Sequence, residues 1–322
     1  MFRRQFVAGS AAASAAIAMG RPALAQAQQF SIATGTTGAV YYPLGGAMAN
    51  ILTKKVPGWA VTAEATAGSV ANMHMIRDGK AQMALTQCDT AYDAIKGLDK
   101  YVGKPVESRT LCVVYPNLVH FVTMEGTGIN KLTDIKGKRI STAPPVSGSE
   151  VMALRIMDEL GIKVGDIKRE RLAPAESTNA MKDGKLDGYF FNGGPPVAAI
   201  TDLAATQGIK IKLIPTSDLV PALNKKYGPV FGASEIKAKS YLNQDAAVPT
   251  IAIWNILVVP ASMPDQQAYT IIKTLWESQA DLVATHKAAQ DMLPENQKAA
   301  NSSVPFHPGA MKYFAEKGIK LS

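Results

Sequence analysis

The 322-residue sequence predicts an α/β protein of two lobes, joined by a two-strand hinge with a ligand cleft between them. Three observations carry that expectation. A strand–loop–helix rhythm runs through the first hundred or so residues, breaks at the long apolar stretch "TLCVVYPNLVHFVTM", and restarts at "KRIST". Two stretches are near-copies, "IRDGKAQMALTQ" (Ile76 to Gln87) and "MKDGKLDGYFFN" (Met181 to Asn192). Each holds a helix end, an Asp-Gly-Lys turn, a strand and a polar residue at the strand's carboxyl end. A second long apolar stretch, "VPTIAIWNILVVPAS", stands where a return crossing into the first lobe is needed. Open α/β sheets bind ligands beyond the carboxyl ends of their strands, so the cleft is the expected site.

The elements follow in order. Arg3 and Arg4 precede an Ala-rich apolar run that ends in small residues, the layout of a signal peptide over 1–25, cleaved near Ala25 or Ala27. The paired arginines before Phe6 point toward the twin-arginine route, with the general secretory route left open. The run is short of the roughly 20 residues a membrane-spanning helix needs, so a periplasmic mature chain is expected. "FSIA" reads as a strand, and "VYYPLGGAMANILTKK" as a helix with Val40, Leu44, Met48, Ile51 and Leu52 on one face. "WAVTAEAT" is a strand by alternation, "GSVANMHMIRDG" a helix opened by Ser69, "KAQMALTQ" a strand, and "DTAYDAIKG" a helix that Asp89 can cap. After the first crossing come the strand "KRIST", the loop "APPVSGSE", the helix "VMALRIMDELG", a further Ser-capped helix after "IKRERLAPAES", and "DGKLDGYFFNGGPP". Beyond the second crossing, "DQQAYTIIKTLWESQADLVATH" reads as one amphipathic helix, and His307 as a turn residue before the last helix. Lobe I is then 28–117 with 247–322, and lobe II is 118–246.

Composition excludes several classes. The net charge of +8 loses three arginines with the leader and falls to +5. The remaining lysines are scattered and aromatics are few, which does not make a nucleic-acid footprint. Cys88 and Cys112, on separate predicted strands, are expected as buried free thiols more than as a disulfide. His74, His120, His286 and His307 are far apart and lack ligand spacing, so neither a metal nor another cofactor is expected. There is no G-x-S-x-G elbow and no H-E-x-x-H, and no nucleophile–base pair stands out, so no catalytic residue is assigned.

"TGTTGAVYYPLGGAMAN" (Thr34 to Asn50) is a Gly- and Thr-rich turn after a strand and before a helix. A P-loop needs a lysine beside its second glycine, and the dinucleotide fingerprint needs G-x-G-x-x-G; both are absent. What remains is a compact turn of backbone N–H groups and the hydroxyls of Thr36 and Thr37 at a helix N-terminus. That suits an anion with few oxygens, such as a carboxylate, or simply a well-capped helix. "SGSE" makes the same offer in the second lobe, with Ser147 and Ser149 opening a helix and Glu150 able to satisfy the dipole alone. Gln87 and Asn192 occupy matching positions in the duplicated stretches, and Ser69 opens a neighbouring helix. Asp89 suits either an ammonium group or an N-cap. Tyr41 and Tyr42 are equally placed to meet a ligand or to join the core.

Together these motifs resemble the TAXI-type solute receptors of TRAP transporters, exported proteins that hand a ligand to an ion-driven permease. The resemblance rests on "IATGTTGAVYYPLGGAMANIL", "KAQMALTQCDTAYDA", "DGKLDGYFFNGGPP" and "VPFHPGAMKYFAEKGIK". It implies a two-lobed periplasmic binding protein fold of type II-like form, ligand-driven closure, no catalysis, a TRAP permease as partner and a monomer. It also implies a small carboxylate ligand of the glutamate, glutamine or 2-oxoglutarate kind. Carried over residue by residue, the family's pocket falls on Thr36, Thr37, Tyr41, Ser69, Gln87, Asp89, Ser147 and Ser149. The chain departs from the family at Ala39, where a second glycine is frequent, and at Pro144–Pro145, where relatives are Gly-rich. No arginine lies in these loops, so N–H groups and hydroxyls are expected to bind the carboxylate, with neither Arg109 nor Arg171 gripping it. Two rivals stay open: a ligand-sensing subunit of a signalling receptor, and an enzyme on the same fold with Asp89 as its one candidate group.

Overall fold

The computed structural model describes residues 27–321; the leader reading lies outside them. In the first half, β1 (Gln28–Ala33), α1 (Tyr41–Lys55), β2 (Trp59–Glu64), α2 (Ser69–Arg77) and β3 (Met83–Gln87) alternate, with α3 (Cys88–Lys96) after them. β1 pairs in parallel with both β2 and β3. The chain then crosses as β4 (Ser108–Met124). β5 (Arg139–Ser141), α4 (Gly148–Glu159), β6 (Lys168–Glu170), α5 (Pro174–Lys182) and β7 (Gly188–Gly193) repeat the pattern, with β5 pairing in parallel with β6 and β7. α6 (Ala198–Ala204), β8 (Ile211–Leu213), α7 (Val220–Tyr227) and β9 (Gly232–Ile236) lead to the return strand β10 (Val248–Pro260). α8 (Asp265–Trp276), α9 (Gln279–Thr285) and α10 (Pro308–Glu316) close the chain.

The main sheet path runs β2-β1-β3-β10-β4-β7-β5-β6, so two copies of one strand order flank a central antiparallel pair. The duplicated sequences are the α2–β3 and α5–β7 passages, in matching places of those copies. β10 pairs with β3 and the first part of β4 at one end, and with β9 at the other; the later part of β4 pairs with β7 and β8. Both long strands therefore belong to both halves. β3 and β7 are buried along their whole length, as expected of strands covered on both faces.

Local chemistry accounts for the helix that follows the Thr-rich turn. Leu44, Met48, Ile51 and Leu52 are buried along one face of α1. A Cβ at Gly45 would lie 2.3 Å from Thr34 Cγ2, so glycine is what lets α1 sit directly on the end of β1.

Three expectations about helix starts and breaks are corrected, and one strand was not foreseen. α3 begins at Cys88 with Gln87 as its N-cap, so Asp89 lies in the first turn and does not cap. α5 begins at Pro174, whose fixed φ suits the first helical position, and Ser177 is buried inside it instead of capping it. The long helix after β10 breaks into α8 and α9 at Glu277–Ser278. There the Ser278 hydroxyl donates to Thr274 O at 2.7 Å and accepts from Lys55 Nζ at 2.8 Å. β6 is only three residues of mixed charge, with no apolar alternation to mark it.

Cys88 heads α3 and not a strand, and both cysteines are free and buried. Cys88 Sγ donates to Asn301 O at 3.2 Å, and burial pushes both thiols up to about 12. The melting temperature is therefore expected to be the same with and without a reductant; a fall of several degrees on reduction would reveal a disulfide. Among the described residues no helix is long and apolar enough to cross a membrane.

Candidate functional site

A cavity lies between the two halves, at the carboxyl ends of β1 and β3 and beside the crossing strands. Its walls include Thr36, Tyr41 and Ser69 from the first half, Ser147, Gly148 and Ser149 from the second, and Gln87 and Asn192 from the two strand ends. The space open to the centre of a water-sized sphere is ≈ 40 Å³, room for about three waters. The site is small, and the halves touch around it.

The Thr36–Ala39 turn is closed by Ala39 N donating to Thr36 O at 3.0 Å. Asn72, buried in α2, donates to Thr34 O at 2.6 Å and to Leu85 O at 2.7 Å, tying the ends of β1 and β3 to the helix that carries Ser69. Ser69 Oγ accepts from Gln87 N at 3.1 Å, and Ser149 Oγ accepts from Asn192 N at 3.0 Å. Each strand end is thus held by a serine from a helix first turn. Ser147 is the N-cap of α4, accepting from Glu150 N at 3.0 Å and donating to Pro144 O at 2.7 Å. The halves meet directly where Asn192 Nδ2 donates to Gln87 Oε1 at 3.1 Å and Ala71 N donates to Val146 O at 3.0 Å. Val146 stands at φ 56°, a costly region for a β-branched residue, held also by its N–H on Glu150 Oε2 at 3.1 Å.

The electrostatics come from backbone, because no charged side chain is among the wall residues. Tyr41, Ser69 and Gly148, the first residues of α1, α2 and α4, all border the cavity. First-turn N–H groups have no intrahelical acceptor, and the positive ends of three helices make the space hospitable to an anion. Glu150 is turned away and neutralised by Arg169 at 2.6 Å and Arg171 at 2.7 Å. Arg109, on β4, donates to Ser108 O and is also absent from the walls.

Seven of the nine expected residues are brought together here: Thr36, Tyr41, Ser69, Gln87, Ser147, Ser149 and Asn192. Thr37 is exposed and lines a separate surface hollow with Pro43 and Thr201. Asp89 is fully buried behind the site, with its carboxylate 3.0 Å from Arg155 Nη1, so it is placed neither for an ammonium ligand nor as a cap.

Residues the sequence reading passed over come from the crossing strands. Tyr115 and Asn117 of β4 line the cavity, and Asn255 of β10 stands behind them, opposite both Gln87 and Tyr115 in the sheet. Asn255 Nδ2 donates to Tyr115 O at 3.0 Å, while its Oδ1 accepts from the Tyr41 hydroxyl and from Asn117 Nδ2 at 3.1 Å. A register shift between Asn255 and Ile256 marks a bulge at this point, a common device for re-aiming side chains beside a site. The signal was present: each asparagine stands in the middle of a long, mostly apolar strand, and a buried amide needs partners.

The model of the NMT1-like family matches residues 32–318. Solved structures of similar fold include a Bordetella bronchiseptica RB50 protein at 16% identity, covering 89% of this chain and 88% of that one, TM-score 0.53. The periplasmic binding protein BugD matches at 13% identity, covering 91% and 99%, TM-score 0.54. MatC from Rhodopseudomonas palustris, with bound malate, matches at 13%, covering 81% and 88%, TM-score 0.51. The fold is thus that of the two-lobed periplasmic binding proteins, type II-like, as the sequence predicts. The chain belongs to the NMT1-like family.

Proposed function

We propose that this member of the NMT1-like family is the periplasmic solute receptor of a TRAP transporter, of the TAXI type, that captures a small carboxylate by lobe closure and delivers it to the permease. The carrying observation is the interlobe cavity, whose walls hold no charged side chain and whose border is made by the N-termini of α1, α2 and α4. Such a site offers N–H groups to an anion without committing a fixed countercharge. The TAXI assignment rests on the quoted motifs, and the fold shared with malate-bound MatC agrees with a small carboxylate. Lobe I is 28–117 with 247–322 and lobe II 118–246, so that β4 and β10 form the hinge; the receptor is exported and works as a monomer. Catalysis is no part of this reading, because Asp89, its one candidate group, is enclosed with Arg155.

A thermal-shift screen of amino acids, 2-oxo acids, 2-hydroxy acids and dicarboxylates on the mature protein tests the ligand class. A ligand at 100 times its dissociation constant adds about 2.7 kcal/mol of stability, a shift of several degrees. Silence across all four classes would refute the carboxylate reading.

A further inference from the structure

Two of the residues that line the cavity carry a buried acceptor with no partner. Asn117 and Asn192 both line it, both are at least nine-tenths buried, and Oδ1 of each has no hydrogen-bond partner. A buried polar group left in that state costs free energy, so a native cavity lined by two such residues is built for an occupant that pairs with them.

The orientation of Asn117 follows from an unambiguous acceptor. Tyr115 O is a backbone carbonyl, so the Asn255 atom that meets it at 3.0 Å is the amide nitrogen. Asn255 Oδ1 then faces the other way and accepts from the Tyr41 hydroxyl and from Asn117 at 3.1 Å. Asn117 must donate in that contact, which leaves its Oδ1 as a fixed acceptor. Gln87 and Asn192 behave as a pair: their mutual hydrogen bond uses one carbonyl and one amide, so the pair always retains one free acceptor and one free donor. Against these stand the N–H groups of the helix first turns, which suit a carboxylate. The cavity therefore has an anion-binding border and, on the strand side, acceptors that seek a hydrogen.

We propose that the site selects carboxylates that carry an N–H or O–H donor beside the carboxylate, and that Asn117 is the residue that reads this donor. The inference rests on the carboxylate reading above and narrows it, setting 2-oxo acids and unsubstituted acids apart from 2-amino and 2-hydroxy acids. An occupant without the donor fills the same space but leaves Asn117 Oδ1 unpaired, and discrimination of that kind is strong because the penalty falls on the wrong ligand.

The test uses matched sets of one carbon skeleton, the 2-amino, 2-hydroxy, 2-oxo and unsubstituted acids, titrated calorimetrically against the mature wild-type protein and Asn117→Leu. In the wild type, at least one donor-bearing acid is expected to bind about tenfold or more tighter than its 2-oxo and unsubstituted counterparts. The amino and hydroxy arms tell which donor is the source. In Asn117→Leu that ratio is expected to fall toward one, chiefly because the donor-bearing acid loses affinity. Equal wild-type affinities across a set that binds would overturn the inference while leaving the carboxylate reading intact. Discrimination unchanged in Asn117→Leu would overturn the assignment to Asn117. If no acid of any set binds, the carboxylate reading fails and takes the inference with it. Should the variant not fold, the wild-type comparison alone decides whether the donor is read.

Discussion

Arg155→Met is expected to destabilise the protein by about 3–5 kcal/mol in chemical denaturation, the largest effect of any single substitution considered. Arg155 projects from α4 in the second half of the chain to α3 in the first, with Nη1 3.0 Å from Asp89 and Nη2 on Asp93, and all three side chains are nearly inaccessible to solvent. Its guanidinium also lies 4.7 Å from the ring centroid of Tyr227. Methionine fills a similar volume but leaves two carboxylates enclosed together without a countercharge, and that penalty exceeds what the wild-type pair contributes. A loss under about 1 kcal/mol would show that water reaches the triad and that it holds the lobes only weakly.

The same triad sets a pH dependence whose sign is opposite to the usual surface carboxylate. Both carboxyls are buried, and the cost of ionising them away from water outweighs the attraction of Arg155, so a proton is retained more easily than in water. Burial raises Asp93 to about 6, with Arg155 opposing and the charges of Asp89 and Asp99 adding; burial raises Asp89 as well, again against Arg155. A raised carboxyl favours the protonated form in the folded state, so its stabilising contribution is fully present below the unfolded value near 4. It is lost as pH rises through about 6. Melting temperature should therefore decline between pH 4.5 and 7.5 from this source, and Asp93→Asn should flatten that slope. An unchanged slope in the variant would assign it elsewhere.

The fold was legible because each lobe repeats one strand order, and both apolar crossings exceed any other strand in length. The Gln87–Asn192 correspondence, visible as a duplication, turned out to be a hydrogen bond across the cleft. Asp89 misled because its spacing after β3 is equally good for a cap, a ligand contact or an ion pair. Only the tertiary approach of Arg155, more than sixty residues away, selects among them. Thr36 and Thr37 are indistinguishable in the sequence, and the turn closed at Ala39 sends one to the cavity and the other to solvent. Asn117 and Asn255 carried a signal of a different kind, polarity where the period demands apolar residues. Such exceptions are where a site is to be sought once the strands are known.

Gly148→Val is expected to weaken ligand binding by about tenfold to a hundredfold while costing about 1–3 kcal/mol of stability. A Cβ at position 148 would lie 2.7 Å from Gln87 Nε2, 2.9 Å from Gln87 Cδ and 2.9 Å from Ser69 Oγ. All three atoms belong to the first half of the chain, whereas Gly148 opens α4 in the second, so with the proposed lobe division the clash exists only when the lobes are together. Relief requires Gln87 to swing away, which breaks its bond to Asn192, or the lobes to part, which opens the cavity to water. Gly148→Ala adds the Cβ alone and should show the smaller part of the loss. Small-angle scattering distinguishes the two routes: a larger radius of gyration in Gly148→Val at saturating ligand means parted lobes, and an unchanged radius with weakened binding means a displaced Gln87. Wild-type affinity together with a wild-type radius would mean that closure in solution does not bring Gly148 against Gln87, and the contact could then no longer be held to gate the cavity.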